Sequence, residues 1–470
     1  MTQTSQTYME DASVAEARQD NPMWSSRLAF ILAASGSAVG LGNIWKFPYI
    51  TGENGGGAFV LVYLLCIALI GIPIMIAEVM IGRRGGRSPI NSLRMLTHRD
   101  GLSSRWTWIG WMGITASFLI LSFYSVIGGW ALAYVGQSAS GTFSGSDADS
   151  VGALFGGLLA DPWTLLLWHS VFRVLVIVIV AGGVRSGMEK AINILMPVLF
   201  LLLLVMVGYA MNSGEFSQGF AFLFEPDFSK LTTAGVLTAL GHAFFSLCLG
   251  MGVMMAYGSY LPKNVSIVKT VAAVSIVDTL VALLAGLAIF PLVFANGLEP
   301  GSGPGLIFQT LPMAFGQMTG GVLFGSLFFG LLVIAAITSA ISLLEPVVEW
   351  LEEQKGISRL SGTLMGGISI WLLGLLTILS FNQWSDVYPL SFIPAFESKT
   401  FFDLLDYVTA NLMMPLGGLF IAIFVGWFMN KQAVENQLDL NSDTAFNFFM
   451  FVLRFITPAA VLIVFINNLL

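Results

Sequence analysis

Charge is what this chain has least of. Of 470 residues, 20 are Lys or Arg and 27 are Asp or Glu, 10% in all, against 56% hydrophobic residues. A soluble domain of this length has no means of burying so much apolar surface. The net charge of -7 gives no basic footprint for nucleic acid, and none is expected as a partner. Cysteine is almost absent: Cys66 and Cys248 both lie in apolar runs, which argues against a disulfide framework, and no CxxC spacing exists. The three histidines, His98, His169 and His242, are scattered and pair with nothing in sequence. The first 23 residues hold no apolar core of a leader, so no cleavable signal peptide is expected, and the first span would serve as its own targeting signal. The apolar–polar alternation of a membrane barrel is missing as well.

What is present is a series of long apolar runs with charge confined to islands between them. A hydrocarbon core of about 30 Å takes roughly 20 apolar residues per helix. On that basis the chain reads as an all-α polytopic membrane protein with eleven transmembrane helices, at 27–50, 56–81, 107–136, 163–182, 188–211, 233–258, 268–295, 320–350, 361–380, 403–429 and 444–468. Loop 83–105 carries Arg83, Arg84, Arg87, Arg94, Arg99 and Arg105, whereas 137–162 has no Lys or Arg. Arg185, Lys190, Lys263, Lys355, Arg359 and Lys431 continue the alternation, with only Lys230 and Lys399 opposite. The positive-inside rule then places the N-terminus in the cytoplasm and the C-terminus outside a plasma (inner) membrane. Residues 296–319 read as a short re-entrant or surface helical hairpin, and 138–150 as a flexible polar loop.

The first span contains SGSAVGLGN, and the sixth contains FFSLCLGMG. Each places glycines and small polar residues near mid-span. The two lie five spans apart, so the second copy has the opposite orientation. Discontinuous helices at matching places in inverted halves mark a midplane transport site. Small-residue packing is the alternative, and Gly36-x-x-x-Gly40 also fits that pattern. An unwound stretch in a membrane leaves N–H and C=O groups that cost several kcal/mol each unless satisfied. Its carbonyls suit a cation, and the N–H groups at a half-helix N-terminus suit a carboxylate. Asp278, within the seventh span, is a buried carboxylate and by default a functional candidate. Thr338 and Ser339 in the eighth span either bond back to the preceding helical turn or serve an ion. Lys46 lies one turn beyond Gly42, Asp403 and Asp406 open span ten, and Arg173 and Arg454 are given no role.

Four motifs turn this pattern into a resemblance: GSAVGLGNIWKFPY with ENGGGAF after it, GIPIMIAEVMIGRRGG, SLCLGMG and AAITSAISLLEP. Over nearly its whole length the chain resembles the neurotransmitter:sodium symporter family of the prokaryotic, LeuT-like type. The resemblance implies a LeuT-type 5+5 inverted-repeat core with broken first and sixth helices, and no enzymatic activity. Its parts would be a cytoplasmic tail over 1–26, a first repeat over 27–211, a second over 212–429 and an eleventh span within 430–470. It implies alternating-access import of a small amino acid with Na⁺. One Na⁺ site would use the Ala38 carbonyl, Asn43, Ser246, Asp278 and the substrate's own carboxylate. A second would use the carbonyls of Gly36, Val39 and Ala335 with the hydroxyls of Thr338 and Ser339. The substrate carboxylate would meet Leu41, Gly42 and Tyr124. Ile120, Phe245, Cys248, Met251 and Leu343 would line the rest of the pocket, bordered by Ala38, Ser246 and Ser339. Tyr124 and Phe245 would form its lid, with Lys46 and Asp406 closing the outer side.

Three departures from the family pattern matter. Lys46 stands where the outer gate usually has Arg. Asn21 stands where the inner gate usually has Arg three residues before Trp24, and Arg18 would replace it with Tyr260 and Glu353 as partners. Asp278 stands where chloride-dependent members have Asn, with Ala282 one turn on in place of Ser. A fixed carboxylate balances Na⁺ in place of chloride, so no chloride requirement is expected. Gly187 and Pro197, in GMEKAINILMP, match a helix that unwinds locally in the family. Gly40 stands where amine-specific relatives have Asp, which excludes monoamines, and the apolar pocket predicts neutral hydrophobic or aromatic amino acids from Leu to Trp. The competing readings are a channel, an intramembrane enzyme, an amino-acid-binding sensor without flux, and a transporter of another small zwitterionic solute.

Overall fold

The computed structural model describes residues 23–300, 305–438, 440 and 442–469. Asn21 and Arg18, and so the expected inner-gate cation, lie outside the described residues. Two helices that interrupt each other open the fold, Arg27–Ala38 (α1) and Gly42–Glu53 (α2), and their axes meet at 50°. Then come Gly57–Gly85 (α3), Ser104–Ala139 (α4), Pro162–Ala181 (α5) and Val184–Asn212 (α6). A second interrupted pair follows, Thr233–Ser246 (α7) and Val253–Ser259 (α8). Ile267–Ala295 (α9), Gly321–Gln354 (α10), Arg359–Ser380 (α11), Phe401–Phe428 (α12) and Asp443–Ile466 (α13) complete the spans. Among the described residues nine helices are long and apolar enough to cross a bilayer unaided, and α1–α2 makes a tenth when taken as one span. The expected eleven requires counting α7–α8 too, since its arms of 14 and 7 residues are each too short to cross alone.

Local sequence accounts for the starts and breaks. Ser26 caps α1 by accepting the Ala29 N–H at 3.1 Å. Asp161 caps α5 by accepting the Trp163 N–H at 3.0 Å, with Pro162 in the first turn where its missing N–H costs nothing. The first break falls at Val39, whose extended backbone (φ -74°, ψ 98°) ends α1. The second spans Leu247–Gly252, where Gly250 and Gly252 both have φ +75° and Cys248 has φ +53°. Cys248 is the one non-glycine at positive φ among the described residues. Such strain persists only where surroundings enforce it, and it gathers at ligand sites. Here Glu78 of α3, fully buried, accepts the Gly250 N–H at 2.7 Å and pins the unwound strand.

Long α4 and α10 pack along each other through the middle of the molecule, and α10 and α9 both touch α1. Gly36 lets α1 lie close to both neighbours: a Cβ there would lie 3.2 Å from Met196 Sδ of α6 and 3.4 Å from Thr338 Cβ of α10.

Three expectations change. Segment 138–150 is not a free loop: Phe143 is buried against Tyr134, Gly145 N–H donates to Gly316 at 2.9 Å, and a helix spans Ala148–Ala160. The 296–319 segment is helical over 306–317 rather than a two-armed hairpin among the described residues. Helix α6 runs unbroken through Pro197, and its irregular turn is instead a π-helical stretch at Val184–Glu189. Gly187 is the reason, since a side chain there would collide with the Ile179 carbonyl across the turn.

Candidate sodium and substrate site

The breaks in both interrupted pairs face each other, and the freed backbone groups find specific partners. Ser339 of α10 donates to the Ser37 carbonyl at 3.0 Å and stands 3.4 Å from the Val39 carbonyl and 3.5 Å from that of Gly36. Three carbonyls released from one helix end thus converge on one hydroxyl. Thr338 beside it donates to Ala335 at 3.0 Å and Ile334 at 3.2 Å, the back-bonding pattern of an intramembrane Thr. Its hydroxyl and the Ala335 carbonyl therefore sit together, next to Ser339. Gly36, Val39, Ala335, Thr338 and Ser339 are all buried here.

A second cluster lies on the other side of the first break. Asn43 of α2 donates to Asp278 Oδ1 at 2.8 Å, to the Asp278 carbonyl at 3.0 Å and to Ser246 at 3.3 Å. Ser246 donates to Asp278 Oδ2 at 2.7 Å, and Gly40 N–H donates to Asn43 Oδ1 at 3.2 Å. Asp278 is fully buried, and no Lys, Arg or His forms an ion pair with it among the described residues. The structure therefore brings Asn43 of α2 to Ser246 of α7 and Asp278 of α9, each more than two hundred positions away in sequence, and surrounds a lone carboxylate with oxygen-rich neighbours. Hard alkali cations take such a donor set.

Between these clusters lies a small pocket of about 20 Å³, room for about one water. Ala38, Leu41, Gly42, Ile120, Tyr124, Phe245, Cys248, Met251, Ser339 and Leu343 line it, as the family resemblance implies. Ser246 is the expected member that does not; Ser37 and Gly40 join instead. Leu41 N–H donates to the hydroxyl of the pocket-lining Tyr124 at 3.3 Å. Gly40 cannot be larger: a Cβ would collide with Ser339 Oγ and lie 3.0 Å from the Tyr124 hydroxyl. Tyr124 and Phe245 also border a wider cavity of about 150 Å³ that holds Lys46 and Asp406. Lys46 and Asp406 share this cavity without an ion pair, and the Lys46 ammonium sits instead 4.8 Å from the Phe245 ring centre.

The expected inner-gate residues Trp24, Tyr260 and Glu353 fall into two separate networks. Trp24 is buried, its indole N–H donating to the Tyr257 carbonyl at 3.3 Å and its backbone N–H to Tyr260 at 3.2 Å. Tyr260 donates to Glu345 at 2.9 Å. Glu345 is held by Arg359, whose fork grips both carboxylate oxygens. Glu353 is committed elsewhere, to Asn91 Nδ2 at 2.6 Å, the Ser88 N–H at 3.0 Å and the Ser88 hydroxyl. Arg18, the expected cation for Tyr260 and Glu353, lies outside the described residues; within them Arg359 is the cation joined to Tyr260 through Glu345.

Sequence reasoning also missed Tyr63, whose hydroxyl donates to Ser246 at 3.1 Å, and His242, which stacks on Phe47 and lies beside Tyr63 with neither ring nitrogen partnered. Glu78 carried a signal, a lone carboxylate inside an apolar run. Tyr63 carried none.

The model of the sodium:neurotransmitter symporter family matches residues 21–150 and 155–470. The chain belongs to that family. An uncharacterized sodium-dependent transporter of Bacillus subtilis, YhdH, is 40% identical over 456 residues, covering 96% of this chain and 98% of the relative. An uncharacterized sodium-dependent transporter of Haemophilus influenzae is 35% identical over 453 residues, covering 95% and 98%. The crystal structure of MhsT in complex with L-phenylalanine superposes with a TM-score of 0.87 at 43% identity, covering 95% of this chain and all of that one. This is therefore a multi-pass, sodium-dependent symporter with the LeuT fold, a transporter rather than an enzyme.

Proposed function

We propose that this symporter imports neutral hydrophobic or aromatic L-amino acids with Na⁺ and without chloride. The observation that carries this reading is the pocket at the facing breaks, which is lined by no charged side chain and is flanked by the Asn43–Ser246–Asp278 cluster. The amino acid's carboxylate lies against the N–H groups of Leu41 and Gly42 and the Tyr124 hydroxyl. Its side chain lies against Ile120, Phe245, Cys248, Met251 and Leu343. The L-phenylalanine held by the related MhsT supports an aromatic substrate. One Na⁺ sits with the Ala38 carbonyl, Asn43, Ser246, Asp278 and the substrate carboxylate. The second sits with the carbonyls of Gly36, Val39 and Ala335 and the hydroxyls of Thr338 and Ser339.

Asp278 gives the first site its own negative charge, which takes the place of a mobile anion. The absence of bulk at Gly40 leaves the substrate carboxylate its place beside the ion. Because the pocket is nearly filled in this conformation, Phe245 and Met251 move apart as the substrate enters. The repeats divide at 27–211 and 212–429, with residues 430–470 outside the core, and the arginine-rich end faces the cytoplasm of a plasma membrane with the C-terminus outside.

The test is uptake of labelled L-phenylalanine and L-leucine by proteoliposomes. Saturable accumulation driven by a Na⁺ gradient, unchanged when gluconate replaces chloride, supports the reading. Steep chloride dependence overturns the anion assignment. Competition by a betaine but not by leucine would reassign the substrate to another zwitterion, and binding without accumulation would make the chain a sensor.

A further inference from the structure

A cavity far wider than the candidate transport pocket lies elsewhere in the molecule. It is a groove of about 460 Å³ on the flank of α4 and α12, where the chain leaves the arginine-rich loop. Trp106, Trp108, Ile109, Met112 and Phe420 form its walls, and Ser103 and Arg105 stand at its mouth. We infer that this groove holds one anionic phospholipid, its phosphate at Arg105 and one acyl chain along Met112 and Phe420.

Placement argues for a lipid. Trp108 is 73% exposed and the neighbouring Trp111 is 40% exposed, amphipathic rings of the kind that settle at a membrane interface. Met112 lies eight residues into α4 and Phe420 lies eight residues from the end of α12. Both are about 12 Å along their helices, which takes the groove from headgroup level into the acyl region. The wall is built rather than collapsed: the Trp106 ring is held 5.3 Å from Phe424 and 4.7 Å from Phe428.

Charge selects the headgroup. Arg84 and Arg99 are paired with Asp100, and Arg94 donates to Asn91 at 2.9 Å. Among the described residues the Arg105 guanidinium forms no ion pair and donates no hydrogen bond, while it is exposed at the groove mouth. No carboxylate lines the groove. A free guanidinium above an apolar slot matches a phosphate above an acyl chain, with the bidentate fork suited to phosphate oxygens.

The experiment is native mass spectrometry of the full chain in detergent, incubated with an equimolar mixture of phosphatidylglycerol and phosphatidylcholine. The wild type is expected to retain one phosphatidylglycerol, preferred about fivefold, the scale of one cation at a lipid surface. Arg105→Gln brings the preference near unity while some lipid still binds. Met112→Trp fills the slot and removes both lipids. Phe420→Trp repeats that obstruction from the opposite wall should the first variant fold poorly, and Na⁺-driven uptake reports folding of each. Equal retention of the two lipids by the wild type, or an unchanged preference in Arg105→Gln, overturns the assignment. So does a lipid stoichiometry that neither obstructing variant lowers.

Discussion

The two seals beside the candidate pocket are made of different materials. On the arginine-rich side Trp24 is clamped by two backbone carbonyls, and Tyr260, Glu345 and Arg359 form a buried, mutually satisfied network. On the other side Lys46 rests on the half-buried Phe245 ring, Asp406 stands apart from it, and a cavity of about 150 Å³ lies over the lid. A bidentate pair on a buried carboxylate loses several kcal/mol when its partner goes, whereas a cation over a half-exposed ring contributes about 0.5–1 kcal/mol. The difference teaches which way the molecule opens first. In this conformation the seal on the arginine-rich side is the lock and the one beside Lys46 a latch, so the Lys46 side is the easier to open.

Cys248 offers a native reporter of both seals, since it lines the pocket and its sulfur lies 3.3 Å from the Ser37 carbonyl. In a Cys66→Ser background, the rate of its modification by an impermeant thiol reagent reads access from whichever side the reagent is applied. The largest effect is expected from Arg359→Met, which strands Glu345. A loss of about 3–5 kcal/mol raises labelling from the arginine-rich side by more than about a hundredfold. An unchanged rate would mean that the network does not hold the inner seal. Phe245→Ala comes next. It removes a half-buried ring and the seat of Lys46, together about 1–2 kcal/mol, so labelling from the opposite side rises roughly tenfold. If instead the inner-side rate rises, Phe245 belongs to the lock and the contrast between the seals is lost.

The unequal seals also explain what the sequence revealed. Both breaks were legible because glycines and small polar residues interrupt apolar runs, and Asp278 was legible as a carboxylate within a span. Thr338 and Ser339 read ambiguously, and the structure shows why: Thr338 bonds back to its own helix while Ser339 reaches the broken one. The Tyr260–Glu345–Arg359 network was not read from the sequence, because Glu345, Glu349, Glu352 and Glu353 crowd adjacent turns of one helix and spacing offers several carboxylates to Tyr260. The choice is made by Arg359 on the next helix, a contact that no periodicity encodes. Tyr63 stayed hidden for the same reason, as its partner Ser246 lies on α7 while its own run is uniformly apolar. The helix over Ala148–Ala160 was missed because a polar stretch before it masked a short apolar run.

Lys46 gives the smallest and most discriminating effect. Lys46→Gln removes the cation over Phe245, and outer-side labelling of Cys248 rises by up to about fivefold. Lys46→Arg acts in the opposite direction. A guanidinium has a planar fork that stacks on Phe245 and at the same time presents donors to Asp406 across the shared cavity. An exposed pair of that kind contributes about 0.2–1 kcal/mol, so labelling slows by about 1.4- to fivefold. The slowing shrinks at high salt, where solvent-exposed charges are screened, while the Arg359-dependent inner seal keeps its strength. A rate in Lys46→Arg that matches the wild type at low salt would show that the distance to Asp406, rather than the shape of the cation, keeps the latch loose.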